Sequence, residues 1–216
     1  MLQSPTWRAN PRWAAEIGYS EEELEGFNRK AIALMEEIRA AAPDPTTIVI
    51  SGCIGPHDDG YAPGEMLSAD AAREYHSTQI GTLVDTAADV VTAMTMTYAE
   101  EAIGVTSAAA AAGIPAVISF TVETDGRLPS GQSLGEAIGQ VDAATGSGPA
   151  YYMINCAHPT HFEAVLEGDW VNRIQGLRAN ASTTLASLEM PTTLPFGRYA
   201  TCATPVMGAR WCSQND

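Results

Sequence analysis

Five short runs rich in Val, Ile, Thr and Tyr alternate with helical stretches along this chain, and that alternation restricts the fold more than any other feature of the sequence. The runs are IVISGCIGP, DVVTAMTMT, IPAVISFT, AYYMINC and VNRIQGLRA, several of them flanked by Gly, Pro or small polar residues as buried strands are. A helix precedes them: from Ser20 to Ala42, Leu24, Phe27, Ile32, Leu34, Met35 and Ile38 fall near helical spacing, and Ser20 stands three before Glu23 as a capping box. Between the runs, SADAAREYHSTQIGTLVDTAA opens on Ser68, EEAIGVTSAAAAAG closes on Gly113, and SLGEAIGQVDAATG and the shorter THFEAVLEG complete the alternation. Strands separated by helices run parallel through right-handed crossovers, which leaves a closed (β/α) barrel or an open doubly wound sheet. The exits SGCIGP, TMTYAEE, SFTVETDG, NCAHP and LRANAS put small, polar or turn-forming residues at nearly every strand end rather than at one switch point, so the barrel mouth fits better. No GxGxxG follows a strand and no GxxxxGK[ST] occurs, so a nucleotide cradle has no support.

The chain has 216 residues, 45% of them hydrophobic, which suits one core. Acidic character stops near Ser182. Residues 1–182 form the expected domain, whereas 183–216 are rich in Thr and Pro and show neither a helical nor a strand period, so they read as a separate irregular tail. A formal charge of -15 argues against a nucleic-acid surface, which needs clustered Lys and Arg, and points to small-molecule partners. No stretch reaches membrane-spanning length and MLQSPTWRANPRW lacks signal-peptide order, so a cytoplasmic location with no membrane partner is expected. Cys53, Cys156, Cys202 and Cys212 are too widely spaced for a disulfide framework and stand as thiols or ligands.

Cys156 ends a buried-looking strand, a position open to core packing and to chemistry alike. His158 and His161 have H-x-x-H spacing but carry Pro159 between them, which favours a solvated loop over a metal pair. Cys53 reads as packing, and Asp58-Asp59-Gly60 as a turn. Glu123 and Asp125 follow the ISFT strand, where they either meet a substrate amino group or form an exposed acidic loop.

The strand exits, in order, resemble those of the homocysteine S-methyltransferase family. The likeness rests on LQSPTWRANP, SGCIGP, ISFTVETDGRLPSGQSL, INCAHP and LRANAS, and covers most of residues 1–182. It implies an α/β fold of the (β/α)8 TIM-barrel type, here incomplete, with the family's first and eighth strands missing. It implies methyl transfer from a sulfonium or similar donor to homocysteine, giving methionine. It implies zinc as cofactor, with Cys156 matching one of three thiolate ligands, and substrate contacts at Thr95, Ser119 and Asn180. Zinc suits such chemistry because a metal-bound thiol is deprotonated at neutral pH. The departures are specific: no Gly-Gly-Cys-Cys pair follows Ser182, the family's first strand with its Asp-Gly-Gly motif, expected before Met1, is absent, and Met94 stands where the family carries Glu. The metal site is therefore expected to be incomplete. A barrel left open exposes strand edges, from which self-association is expected, and a catalytically inactive barrel remnant is the alternative to an enzyme.

Overall fold

The computed structural model of the chain describes residues 1–182; the tail from 183 to 216, with Cys202 and Cys212, lies outside the described residues. Six strands are present: β1 (Leu2–Gln3), β2 (Ile50–Ile54), β3 (Val90–Met96), β4 (Ala116–Phe120), β5 (Tyr151–Asn155) and β6 (Ile174–Arg178). All pair in parallel, in sequence order from β1 to β6. The sheet curls into an incomplete barrel, far enough that Arg178 on β6 donates a hydrogen bond to Gln3 on β1, at the opposite end of the strand order. The helices are α1 (Pro11–Glu16), α2 (Glu21–Ala40), α3 (Ala69–Val84), α4 (Ala99–Ala112), α5 (Leu134–Thr145) and α6 (Pro159–Phe162).

Local chemistry explains these boundaries. Ser20 caps α2 through a capping box with Glu23, Ser133 caps α5 in the same way with Glu136, and Ser68 caps α3 through the Ala71 N–H. Helices α4 and α5 stop where Gly113 and Gly146 take left-handed backbone, at φ 77° and 62°. Periodicity finds five strands and the described residues form six, because two residues are too few to show a period; β1 is held by Leu2 N–H to Val49 O and Ser4 N–H to Ser51 O. Helix α1 also escapes periodicity, since Asn10 and Pro11 start it and it ends at Glu16. The last strand begins later than VNRIQGLRA suggests, because Asp169–Arg173 forms a 3₁₀ turn first. Around α6, Pro159 opens a helical turn capped by His158, with His161 and Phe162 buried beneath it, in place of the solvated loop expected there.

The outward sheet face carries Ile50, Ile54, Val91, Ala93, Ile118, Phe120 and Ile154 into a core shared with Ile80, Leu83, Val105 and Ile138 of the helices. Phe120 and Tyr152 stack there at 6.1 Å. Gly104 lets α4 lie against α3 so closely that a Cβ there would come within 2.5 Å of the Ala72 Cβ. Alternation along the strands turns the other set inward. The inner face mixes apolar side chains, Cys53, Val117 and Met153 among them, with polar ones bonded to each other: Ser51 and Thr92 share a hydrogen bond of 2.6 Å across β2 and β3, and Ser119 bonds Asn155 at 2.6 Å. Gly176 faces Met153, since an added Cβ would come within 2.8 Å of that side chain, which places Asn155 and Arg178 two residues further along on the same inner face.

Candidate functional site at the barrel mouth

The carboxyl ends of β3 to β6 converge on Asn155. Its side chain is 1% exposed and makes three hydrogen bonds: Oδ1 accepts from the Thr95 N–H at 3.0 Å and the Ser119 hydroxyl at 2.6 Å, and Nδ2 donates to Thr95 Oγ1 at 2.8 Å. One amide thereby ties three strand ends together. Thr95 lies inside a break in register between Ala93 and Met96 and has φ 65°, which explains why its N–H points into the mouth instead of along the ladder. Thr95 and Ser119, expected to contact substrate, are thus buried and joined to Asn155, the asparagine of the INC motif.

Cys156 follows immediately, half-buried and also left-handed at φ 56°. For a residue with a β-carbon such backbone costs about 1–3 kcal/mol and persists only where neighbours over-determine it. The neighbours do so here. The Cys156 N–H donates to Arg178 O at 3.1 Å, the Asn180 amide donates to Cys156 O at 2.9 Å, and the Asn180 N–H donates to Ala157 O at 3.0 Å. Asn180 is therefore brought directly onto the Cys156 turn, with one amide hydrogen already committed to it.

The N-terminal segment closes the other side. Ser4 Oγ accepts the Cys53 N–H at 2.9 Å, Thr6 donates to Cys53 O at 2.7 Å, and the Trp7 indole N–H donates to Met94 O at 3.1 Å. Cys53 is enclosed by these contacts; burial pushes its thiol up to about 12, with a smaller opposing pull from Arg178, so it stays protonated. Packing is its role, as expected. Asp59 accepts the Tyr61 and Ala62 N–H groups, which is the turn expected of Asp58-Asp59-Gly60, and Asp58 pairs with Arg12 at 3.1 Å. Glu123 is held above the usual carboxylate range, first by burial and then by Asp125.

A buried cluster that sequence reasoning missed pins the loop between β2 and α3. The Glu101 carboxylate, 1% exposed at the start of α4, accepts the His57 backbone N–H and lies 3.0 Å from His76 Nε2. The His57 and Tyr75 rings meet edge to face at 4.6 Å, and burial lowers the His57 pKa, favouring the neutral ring. These groups come from three separate stretches of chain with no shared spacing, so no motif announces them.

As a test of the expected metal, among the described residues no group of three or more His, Cys, Asp or Glu side chains is placed to hold an ion. Cys156 alone is not a zinc donor set. The described residues do not fit the metal.

Solved structures share this architecture. The metallated form of the homocysteine methyltransferase MmuM from Escherichia coli superposes with a TM-score of 0.71 at 19% identity, over 83% of this chain and 66% of that one. Its oxidized form gives 0.66 at 22% identity, over 76% of this chain and 59% of that one. The apo form gives 0.57 at 22% identity, over 69% and 56%. At these identities the likeness is one of fold, and the chain spans 66% or less of the length of each of these structures. No similar sequence was found among curated proteins. The homocysteine S-methyltransferase family itself matches the sequence over residues 1–203, nearly its whole length, and the chain belongs to that family.

Proposed function

We propose that the mouth of this barrel binds homocysteine for methylation to methionine by a sulfonium-type donor. The observation that carries the reading is the Cys156 turn: a half-buried thiol displayed at a strand exit on backbone that three hydrogen bonds hold left-handed. Strain of this kind clusters at ligand sites, and a barrel mouth is where such sites lie. In the reaction the homocysteine sulfur attacks the methyl carbon, the carbon–sulfonium bond breaks to leave a neutral sulfide, and the thiol proton is released. Asn180, beside Cys156, is the residue proposed to hold the amino acid, with Asn155, Thr95 and Ser119 fixing the strand ends around it. Zinc is the metal that family membership suggests. The described residues supply Cys156 and no second ligand, so no step is assigned to it. The single-ligand arrangement favours a second reading, a catalytically inactive remnant.

One experiment separates the two. The full chain is incubated with homocysteine and a methylsulfonium compound, and methionine is measured beside zinc per chain after dialysis against a mild chelator. Methionine formation that Cys156→Ser abolishes supports the enzyme. Absence of methionine, with homocysteine failing to bind, supports the remnant. In either case the outer edges of β1 and β6, which pair with no further strand among the described residues, support the proposed self-association of a domain that is cytoplasmic in our reading, and a monodisperse monomer by sedimentation would refute the association.

A further inference from the structure

Among the described residues, a cation stands at this mouth without a carboxylate. The chain carries a net charge of -15, and four of its arginines are paired: Arg12 with Glu16 and Asp58, Arg29 with Glu25 and Asp85, Arg39 with Asp89, and Arg173 with Asp142. Arg8, Arg73 and Arg127 also stand outside these ion pairs, but Arg178 is the one placed at the end of a barrel strand. Its side chain is turned to the inner face at the end of β6, and among the described residues its hydrogen-bond partner is the neutral Gln3 of β1. Its own carbonyl accepts the Cys156 N–H, so the guanidinium is rooted in the same turn that displays the thiol. Its field also reaches the inner face of β2, where it opposes the rise of the Cys53 thiol. A fork of N–H donors spanning the mouth, exposed and held by a neutral amide that a stronger acceptor would displace, is suited to bidentate recognition of a carboxylate.

We infer that Arg178 binds the α-carboxylate of the amino-acid substrate, orienting it across the mouth with its sulfur toward Cys156. The inference rests on the functional reading above and adds a specificity-determining residue to it. One Asn180 amide hydrogen is already committed to Cys156 O, so the full charge-assisted contact falls to the guanidinium. A ligand that keeps the carboxylate is then favoured over one that lacks it, whatever its amino group.

Binding to the full chain is measured by calorimetry with three probes: L-homocysteine, its des-amino analogue 4-sulfanylbutanoate and its decarboxylated analogue 3-aminopropane-1-thiol. Loss of a charge-assisted contact predicts that Arg178→Gln weakens both carboxylates roughly 10- to 100-fold and leaves the decarboxylated thiol unchanged. Gln3→Glu guards against a folding defect, because it keeps the bridge between β1 and β6, as an ion pair, while occupying the guanidinium. A carboxylate-binding role predicts that Gln3→Glu also weakens the two acids with the thermal midpoint held or raised. A purely structural bridge predicts no such loss. If wild type binds homocysteine and both variants bind it equally well, Arg178 is not the carboxylate site and the functional reading stands. If wild type binds no homocysteine, the inference and the reading beneath it both fall.

Discussion

Asn155→Ala tests how the mouth is held. The substitution removes three hydrogen bonds from a side chain that is 1% exposed. The Thr95 N–H suffers most, because its direction is fixed by backbone at φ 65° inside a register break, and it is left without an acceptor. Stranding a buried donor costs about 1–3 kcal/mol. The two hydroxyl contacts add about 0.5–1.5 kcal/mol each, less whatever Ser119 and Thr95 recover by rotating toward other acceptors. Relief of strain as Thr95 leaves the left-handed region returns about 1 kcal/mol. The expected loss is about 2–4 kcal/mol, a large fraction of the roughly 5–15 kcal/mol that stabilises a typical domain. Urea titration reads it as a shift in midpoint at constant slope. A double-mutant cycle sharpens the reading: Ser119→Ala removes the hydroxyl that Asn155→Ala strands, so the double variant should cost about 1 kcal/mol less than the sum of the singles. A loss below about 1 kcal/mol, or strict additivity, would refute the claim that this amide ties the strand ends together.

Backbone strain at Cys156 predicts that Cys156→Gly is more stable than Cys156→Ala by about 0.5–1 kcal/mol in the same titration, the reverse of the order in an ordinary helix or strand. Gly104→Ala should destabilise by about 1–3 kcal/mol although Ala is the better helix former, because the new methyl meets Ala72 and the Arg73 backbone N within 2.6 Å; an unchanged melting temperature would mean that α3 and α4 part freely. The Cys53 thiol is raised from 9.0 to about 12 by burial, so the folded state keeps a proton that the unfolded chain loses. That contribution is fully present below pH 9 and is lost as pH rises toward 12, at a slope of about 1.4 kcal/mol per pH unit, and Cys53→Ala should flatten the alkaline limb of a stability–pH curve.

What the sequence made legible, and what it hid, divides by range. The helices were legible because their ends are written locally, in Ser20 with Glu23, Ser68, and Gly113. The long strands were legible because their β-branched runs stop at Gly, Pro or small polar residues. The site is made of contacts that no window contains: Asn155 meets Thr95 sixty residues earlier, and Asn180 meets Cys156 twenty-four residues earlier. Family resemblance placed Cys156, Asn180, Thr95 and Ser119 at strand exits, but only register shows that Asn155 holds two of them. The solvated loop expected around His158 and His161 is a helical turn for a related reason. Pro159 breaks a preceding element and equally starts a helical turn, and burial by Phe162 and its neighbours decides between the two.

The inner face explains how six strands keep a barrel's curvature. A closed barrel fills its interior with layers of branched apolar side chains that press against the opposite wall. Such layers lose their partners when part of the wall is absent from the arc. Here much of the inward set works sideways instead: Ser51 to Thr92, Ser119 to Asn155, and Asn155 to Thr95 are bonds between neighbouring strands, and none of them needs anything across the lumen. Their donors and acceptors satisfy one another, so these polar groups are not a desolvation penalty awaiting a partner. The price is paid at the rim, where Gln175 and Arg178 of β6 remain exposed and a single side-chain bridge to Gln3 spans from the last strand to the first. Lateral bonds of this kind hold curvature without an opposite wall, and at the rim they leave Arg178, which among the described residues has no carboxylate partner, bridged to the neutral Gln3.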